Sequence, residues 1–198
     1  SLREVCLDGP LWRLTRTEYA QPALFALAYA QWLEVADLLS GRVGAAAGHS
    51  LGEYTALAAA GMIGYEDALA VVAERGAAMA EAADAEPSGM AALIGATPEA
   101  AEQITAQRRA DGGRLSVANI NAPGQVVVAG GDADLQWLDT TARDLGVRRA
   151  IRLNVAGAFH SPFMEPATER LTAALSGLDV IDGDFGVWSN VTAAPVAS

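Results

Sequence analysis

The residue pattern predicts an α/β fold, a larger α/β unit interrupted by a small βαββαβ subdomain. Three observations carry that prediction. First, the apolar run Val43-Gly44-Ala45-Ala46-Ala47 leads into Gly48-His49-Ser50-Leu51-Gly52 and then into the helical stretch Tyr54–Ala60. Strand, G-x-S-x-G and helix in that order form the context of a nucleophile elbow. Second, between Gly89 and Leu153 the segments read strand, helix, strand, strand, helix, strand, the ferredoxin-like order. Third, 198 residues that are 52% hydrophobic suffice for a large unit carrying a small one. The expected division is 1–88, 89–153 and 154–198, with the middle segment inserted at a loop whose ends lie close together.

Each element follows from local pattern. Ser1–Thr17 shows no clear period. Pro22 suits the first turn of a helix, where its missing N–H costs nothing, and Ala23–Leu33 continues that helix up to a stop at Gly41. The helix is apolar on nearly all sides, which predicts burial against the sheet. Val43–Ala47 is expected to be the end of a buried strand. After Gly61, Leu69, Val72, Ala73, Ala77 and Met79 keep helical spacing and predict a helix over Tyr65–Ala83. Met90–Ile94 reads as a strand and Pro98–Arg109 as a helix. Leu115–Asn119 and Gln125–Ala129 read as two strands joined by the turn cluster Asn121-Ala122-Pro123-Gly124. Ala133–Leu145 is a further helix and Arg148–Leu153 a further strand. The chain then passes through a small-residue loop, Asn154–Met164, to a helix over Pro166–Leu178 and a strand at Gly186–Ser189.

Composition excludes several classes of function. The net charge of −11 argues against nucleic-acid binding. The single cysteine, Cys6, excludes an internal disulfide framework and any multi-cysteine metal site, so no metal is expected. All 13 basic residues are arginine, which rules out a Schiff-base lysine and a P-loop lysine. No apolar run is long enough to span a membrane and no signal segment opens the chain, so a soluble, cytoplasmic protein with no membrane partner is expected.

The elbow names a nucleophile. Its glycines let the chain turn sharply and leave the Ser50 hydroxyl at a helix N-terminus, where unpaired backbone N–H groups, that of Leu51 included, face any oxyanion formed nearby. A serine hydroxyl needs a base, and histidine is the usual one near neutral pH. Of the two histidines, His49 follows the elbow glycine, where the turn sends its side chain away from that of Ser50. His160 is therefore the candidate base, and no acidic residue is obviously placed to orient it. Arg75 lies three and four positions after Val72 and Val71, on or beside an apolar helix face. A charge there either meets a ligand or partner, or snorkels to water.

Five segments together resemble the malonyl-CoA:acyl-carrier-protein transacylases and the acyltransferase domains of polyketide synthases. They are Gly48-His49-Ser50-Leu51-Gly52-Glu53-Tyr54, Gln21-Pro22-Ala23-Leu24, Arg75-Gly76, Asn119–Gly130 and Gly157-Ala158-Phe159-His160-Ser161. The resemblance implies a hydrolase-like α/β subdomain with a ferredoxin-like insert, and a ping-pong transfer through an ester on Ser50. His160 would serve as base, Leu51 as an oxyanion donor and Arg75 as the clamp on the malonyl carboxylate. Gln21, Asn121 and Gln125 match positions near the active site, and Phe159 with Leu51 resembles the malonyl-selecting pattern. Malonyl-CoA is the implied substrate, an acyl carrier protein the implied partner, and no permanently bound cofactor is implied.

The chain also departs from that family. The glycine-rich, glutamine-bearing segment that supplies the other half of the oxyanion hole has no counterpart, and the family continues beyond Val191-Thr192. The sequence therefore looks like an interior portion of a transacylase, and the stretch alone is expected to be inactive or poorly folded unless the remainder is supplied. Three rivals share parts of the pattern: a serine hydrolase using Ser50 and His160, an acyltransferase domain of a modular polyketide synthase, and a non-catalytic carrier-protein scaffold. Arg148, Arg149 and Arg152 would suit an acidic carrier protein or a plain solvated face.

Overall fold

A computed structural model describes residues 1–196. The chain is a mixed α/β protein. In order, its elements are helices α1 (Leu2–Asp8), α2 (Leu11–Leu14) and α3 (Thr17–Leu39), strand β1 (Ala45–Ala47), and helices α4 (Gly52–Ala59) and α5 (Tyr65–Ala85). Strand β2 (Ser88–Ile94), helix α6 (Pro98–Ala110), strands β3 (Ser116–Ala122) and β4 (Gln125–Gly131), helix α7 (Asp132–Thr141) and strand β5 (Arg149–Arg152) follow. A 3-10 turn at Pro162–Met164, helix α8 (Glu165–Leu175) and strand β6 (Gly186–Trp188) complete the described chain. Contacts divide it into two compact units, Ser1–Ala77 with the chain from Arg170 onward, and Ala78–Glu169.

In unit one, β1 pairs in parallel with β6, Ala45 opposite Gly186 and Ala47 opposite Trp188. Its core collects Phe25 from α3, Ala58 from α4, and Ala68 and Val72 from α5, with Ile63 between them. The Phe25 and Tyr65 rings stack at 5.5 Å, and Tyr29 lies 4.7 Å from Tyr65. Two burial expectations need correction here. Helix α3 buries only Gln21, Pro22 and Phe25, one face of the helix, and leaves Leu24, Leu27, Leu33 and Leu38 between 56% and 70% exposed. An all-round apolar sequence shows no single face to pattern analysis, and among the described residues the buried positions of α3 fall on one face. Strand β1 is likewise exposed at Ala45 and Ala47, because among the described residues its only strand neighbour is β6. The unpatterned start of the chain holds α1 and α2, the first fixed by a capping box in which Ser1 and Glu4 satisfy each other's backbone N–H.

In unit two, four strands run in the order β3-β4-β2-β5, every neighbouring pair antiparallel. Alternation along β2 separates two apolar layers, as the two-residue side-chain period requires. Ala91 and Leu93 join Val126, Val128, Leu115, Leu135 and Leu138 on the side of α6 and α7. Met90 and Ala92 join Val127 and Ala129 on the other side, against Ala158 and Phe163. The unit is wider than the strands and their two helices. The second half of α5 packs Ala78, Met79 and Ala82 on Ala167, with Phe159 and Met164 alongside. Residues 78–88 and 154–169 are drawn in by that packing.

Helix ends differ modestly from the sequence pattern. Helix α7 stops at Thr141 and α8 at Leu175, both short of the expected Leu145 and Leu178. In each case a turn follows that keeps partly apolar spacing without helical geometry.

Candidate active site

The turn from β1 into α4 sets Ser50 at φ 51, a left-handed conformation that side chains other than glycine rarely adopt. The turn is tight enough that a Cβ on Gly48 would overlap the backbone of Gly52 and Glu53. Ser50 is half-buried beside the first turn of α4, and the N–H of Leu51 lies at the same helix start. His49 is exposed.

Helix α5 delivers Arg75 to the same place. Gly76 makes this possible, since a Cβ there would come within 2.9 Å of the Thr17 carbonyl oxygen, where α3 crosses closely. Arg75 is only 8% exposed. Its Nη2 donates to Ser50 Oγ at 2.8 Å, its Nη1 donates to Gln21 Oε1, and its guanidinium lies 5.8 Å from the centre of the Tyr54 ring. Gln21 is buried too, and its Nε2 donates to Thr17 Oγ1 at 2.7 Å. Among the described residues no carboxylate forms an ion pair with Arg75. Burial pulls its pKa below the ordinary arginine value, while Tyr54 and Glu53 act in the opposite direction. Burial likewise raises the Tyr54 phenol, which Arg75 partly offsets. The alternative left open by the sequence is thereby narrowed: Arg75 does not snorkel. It is a buried cation facing a serine oxygen.

Two residues the sequence reading missed complete this cluster. Asn190, just past β6, donates through Nδ2 to the Gly48 carbonyl at 2.7 Å and accepts from the Ser50 N–H at 3.1 Å. Glu53 accepts from the Asn190 backbone N–H at 3.0 Å and from its Nδ2. Asn190 lies 140 positions from Ser50, so no spacing in the sequence could link them.

Unit two carries the other predicted residues. His160 sits at φ 56 on an exposed loop. That loop is anchored on both sides: Ala158 N–H donates to Ser88 Oγ at 3.1 Å, and Ser161 caps the 3-10 turn through the Phe163 N–H. Gly157 lies so close to Ala83 that a Cβ would meet that residue's Cβ at 2.6 Å. A cavity of about 460 Å³ opens beside His160, lined by Ser116, Val117, Ser161, Pro162, Met164 and Glu165 among others. Phe159 is half-buried, and Asn121 and Gln125 are exposed where β3 turns into β4. The structure thus brings Ser50, Leu51, Gln21 and Arg75 together in unit one. It places Asn121, Phe159 and His160 in unit two. Among the described residues no helix is long and apolar enough to cross a membrane.

The model of the acyl transferase domain family matches residues 1–196. The chain belongs to that family. It is 40% identical over 192 residues to the malonyl CoA-acyl carrier protein transacylase of Bacillus subtilis, covering 97% of this chain and 60% of that protein. The malonyl-CoA:acyl carrier protein transacylase structure from Xanthomonas oryzae superposes with a TM-score of 0.91 at 36% identity, over 100% of this chain and 62% of that one. A malonyl-transacylase solved in complex with a type II PKS acyl-carrier protein gives a TM-score of 0.87 at 33% identity, over 100% of this chain and 63% of that one. The chain therefore spans about three-fifths of the length of these relatives.

Proposed function

We propose that this acyl transferase chain carries the nucleophilic half-site of a ping-pong malonyl transfer, from malonyl-CoA to the phosphopantetheine thiol of an acyl carrier protein, in fatty acid or polyketide biosynthesis. The observation that carries the reading is Arg75, a buried guanidinium with no carboxylate partner among the described residues, in hydrogen-bond contact with the Ser50 hydroxyl. An acyl group esterified to that oxygen and ending in a second carboxylate places its charge a few bonds from the guanidinium, which is suited to grip it through two parallel hydrogen bonds. A hydrolase of neutral esters has no use for such a cation, so the observation favours the transferase over its nearest rival.

In this mechanism Ser50 Oγ attacks the thioester carbonyl and His160 takes its proton. The tetrahedral oxyanion is stabilised by the N–H of Leu51, and its collapse expels CoA, which leaves with the proton from His160. The carrier-protein thiol then gives its proton to His160 and attacks the seryl ester, which regenerates Ser50. Gln21 holds the guanidinium, and Asn121 and Phe159 border the substrate. The chemistry needs no resident cofactor. The strand order β3-β4-β2-β5 supports reading 89–153 as ferredoxin-like, and the β1–elbow–α4 passage supports reading the remainder as hydrolase-like.

The test is the rate of Ser50 acylation by malonyl-CoA against acetyl-CoA, in the chain with the family's flanking segments restored, as wild type and as Arg75→Ala and Arg75→Lys. Expected is a clear malonyl preference that Arg75→Ala abolishes, with acetyl transfer little changed and Arg75→Lys intermediate. Equal acylation by both thioesters in the wild type would overturn the reading.

A further inference from the structure

We propose that Asn190 is a positioning residue that holds the nucleophile elbow in its left-handed conformation, and that Glu53 sets the orientation in which it does so. The inference concerns the same serine and rests on its being a nucleophile.

The side-chain amide of Asn190 spans the elbow as a strand neighbour would. Beyond the last β1–β6 pair, Ala47 opposite Trp188, the ladder ends, and Asn190 takes over with a donor to the Gly48 carbonyl and an acceptor for the Ser50 N–H. These two contacts flank His49 and bracket the turn that leaves Ser50 at φ 51. A residue other than glycine stays in that region only when its surroundings over-determine it. Here the over-determination has named atoms.

The amide must also face the right way. An ionised carboxylate accepts hydrogen bonds and donates none. Glu53, in the first turn of α4, receives both the backbone N–H and the Nδ2 of Asn190. Nδ2 is thereby committed to the side of Glu53 and Gly48, and Oδ1 is left facing the Ser50 N–H. Two consequences follow. The Ser50 N–H is occupied, so the oxyanion donor at this helix start is the N–H of Leu51, the residue after the nucleophile. The elbow is also fastened to β6 by a side chain, so its geometry depends on Asn190 rather than on β1–β6 pairing alone.

The experiment is labelling of Ser50 by phenylmethanesulfonyl fluoride, followed by intact mass, alongside acylation by malonyl-CoA. The sulfonyl fluoride reports whether the hydroxyl is presented for attack, with fluoride leaving, and does so independently of which acyl group is the natural one. Asn190→Ala is expected to slow both reactions about 10²-fold, the scale of a misplaced reacting group. Apparent binding of malonyl-CoA and the malonyl-over-acetyl ratio should stay unchanged, since Arg75 sets those. Glu53→Gln keeps an acceptor for Asn190 and should retain most of the labelling rate, whereas Glu53→Ala should fall towards Asn190→Ala. If Asn190→Ala labels at the wild-type rate, or wild-type Ser50 takes no label, the proposal is overturned. Wild-type labelling by the sulfonyl fluoride without malonylation, slowed by Asn190→Ala, would leave the elbow inference standing and remove the malonyl reading.

Discussion

The two units hold themselves together by different means. Unit two sandwiches a four-stranded antiparallel sheet between apolar layers, with Leu93, Leu115, Leu135 and Leu138 fully buried on one side and Ala129 and Ala158 on the other. Unit one rests on a two-stranded parallel sheet whose first strand is largely exposed, and α3 turns several leucines to the surface. Parallel strands are normally covered on both faces. Yet unit one carries the strained serine and the buried arginine. What fixes them is polar and specific: Asn190 and Glu53 on the elbow, and on Arg75 the side chain of Gln21, itself bonded to Thr17. Stability and site geometry thus have separate sources in this molecule.

The sharpest way to break that contrast is Gly48→Ala. A methyl group there meets only backbone atoms of the elbow, which cannot move aside without moving Ser50. Ser50 labelling and malonylation should fall to background while hydrogen-exchange protection across β2–β5 stays at wild-type levels. Loss of protection in unit two as well would mean that the site and the fold are not separable.

The next effect is on stability. Leu93→Ala removes a fully buried side chain from the α6/α7 side of the sheet and should cost about 2–5 kcal/mol. Leu27→Ala removes an exposed leucine from α3 and should lie within about 0.5 kcal/mol of wild type. Urea unfolding read by residue-resolved amide signals measures both. The same signals should show amides of β2 and β4 exchanging more slowly than those of β1 and β6, because local opening is easiest where apolar contacts are few.

Smallest of all is the Arg152–Asp139 ion pair, 2.9 Å long and partly exposed at both ends. Arg152→Ala should change unfolding by about 0–1 kcal/mol, and any difference should shrink as salt is added. A larger effect would show that unit two relies on charge as well as on its core.

The sequence was informative where a pattern repeats and silent where a single polar atom matters. Short strand-like segments and the turn cluster Asn121-Ala122-Pro123-Gly124 placed β2 to β5, and the G-x-S-x-G spacing placed Ser50 between a strand and a helix. Arg75 was legible as an anomaly on an apolar face, though not as the contact of a serine. Asn190 and Thr17 were invisible, because one side chain capping a distant turn leaves no periodic trace. The exposure of α3 was misread for the opposite reason: a helix apolar on every side says that it can be buried, not which of its faces finds a neighbour. The leading α1 and α2 are short and fixed by local caps and turns, so neither spans enough residues to show a period.

One measurement bears most directly on the central claim, that Ser50 takes a malonyl group which Arg75 recognises. It is intact mass with peptide mapping after brief exposure to malonyl-CoA, for the chain with the family's flanking segments restored and its Ser50→Ala variant, with acetyl-CoA in parallel. Expected is one malonyl group on the peptide containing Ser50, absent from Ser50→Ala and formed in preference to acetyl. A malonyl group that persists in Ser50→Ala, or wild-type protein that accepts acetyl as readily as malonyl, would contradict it.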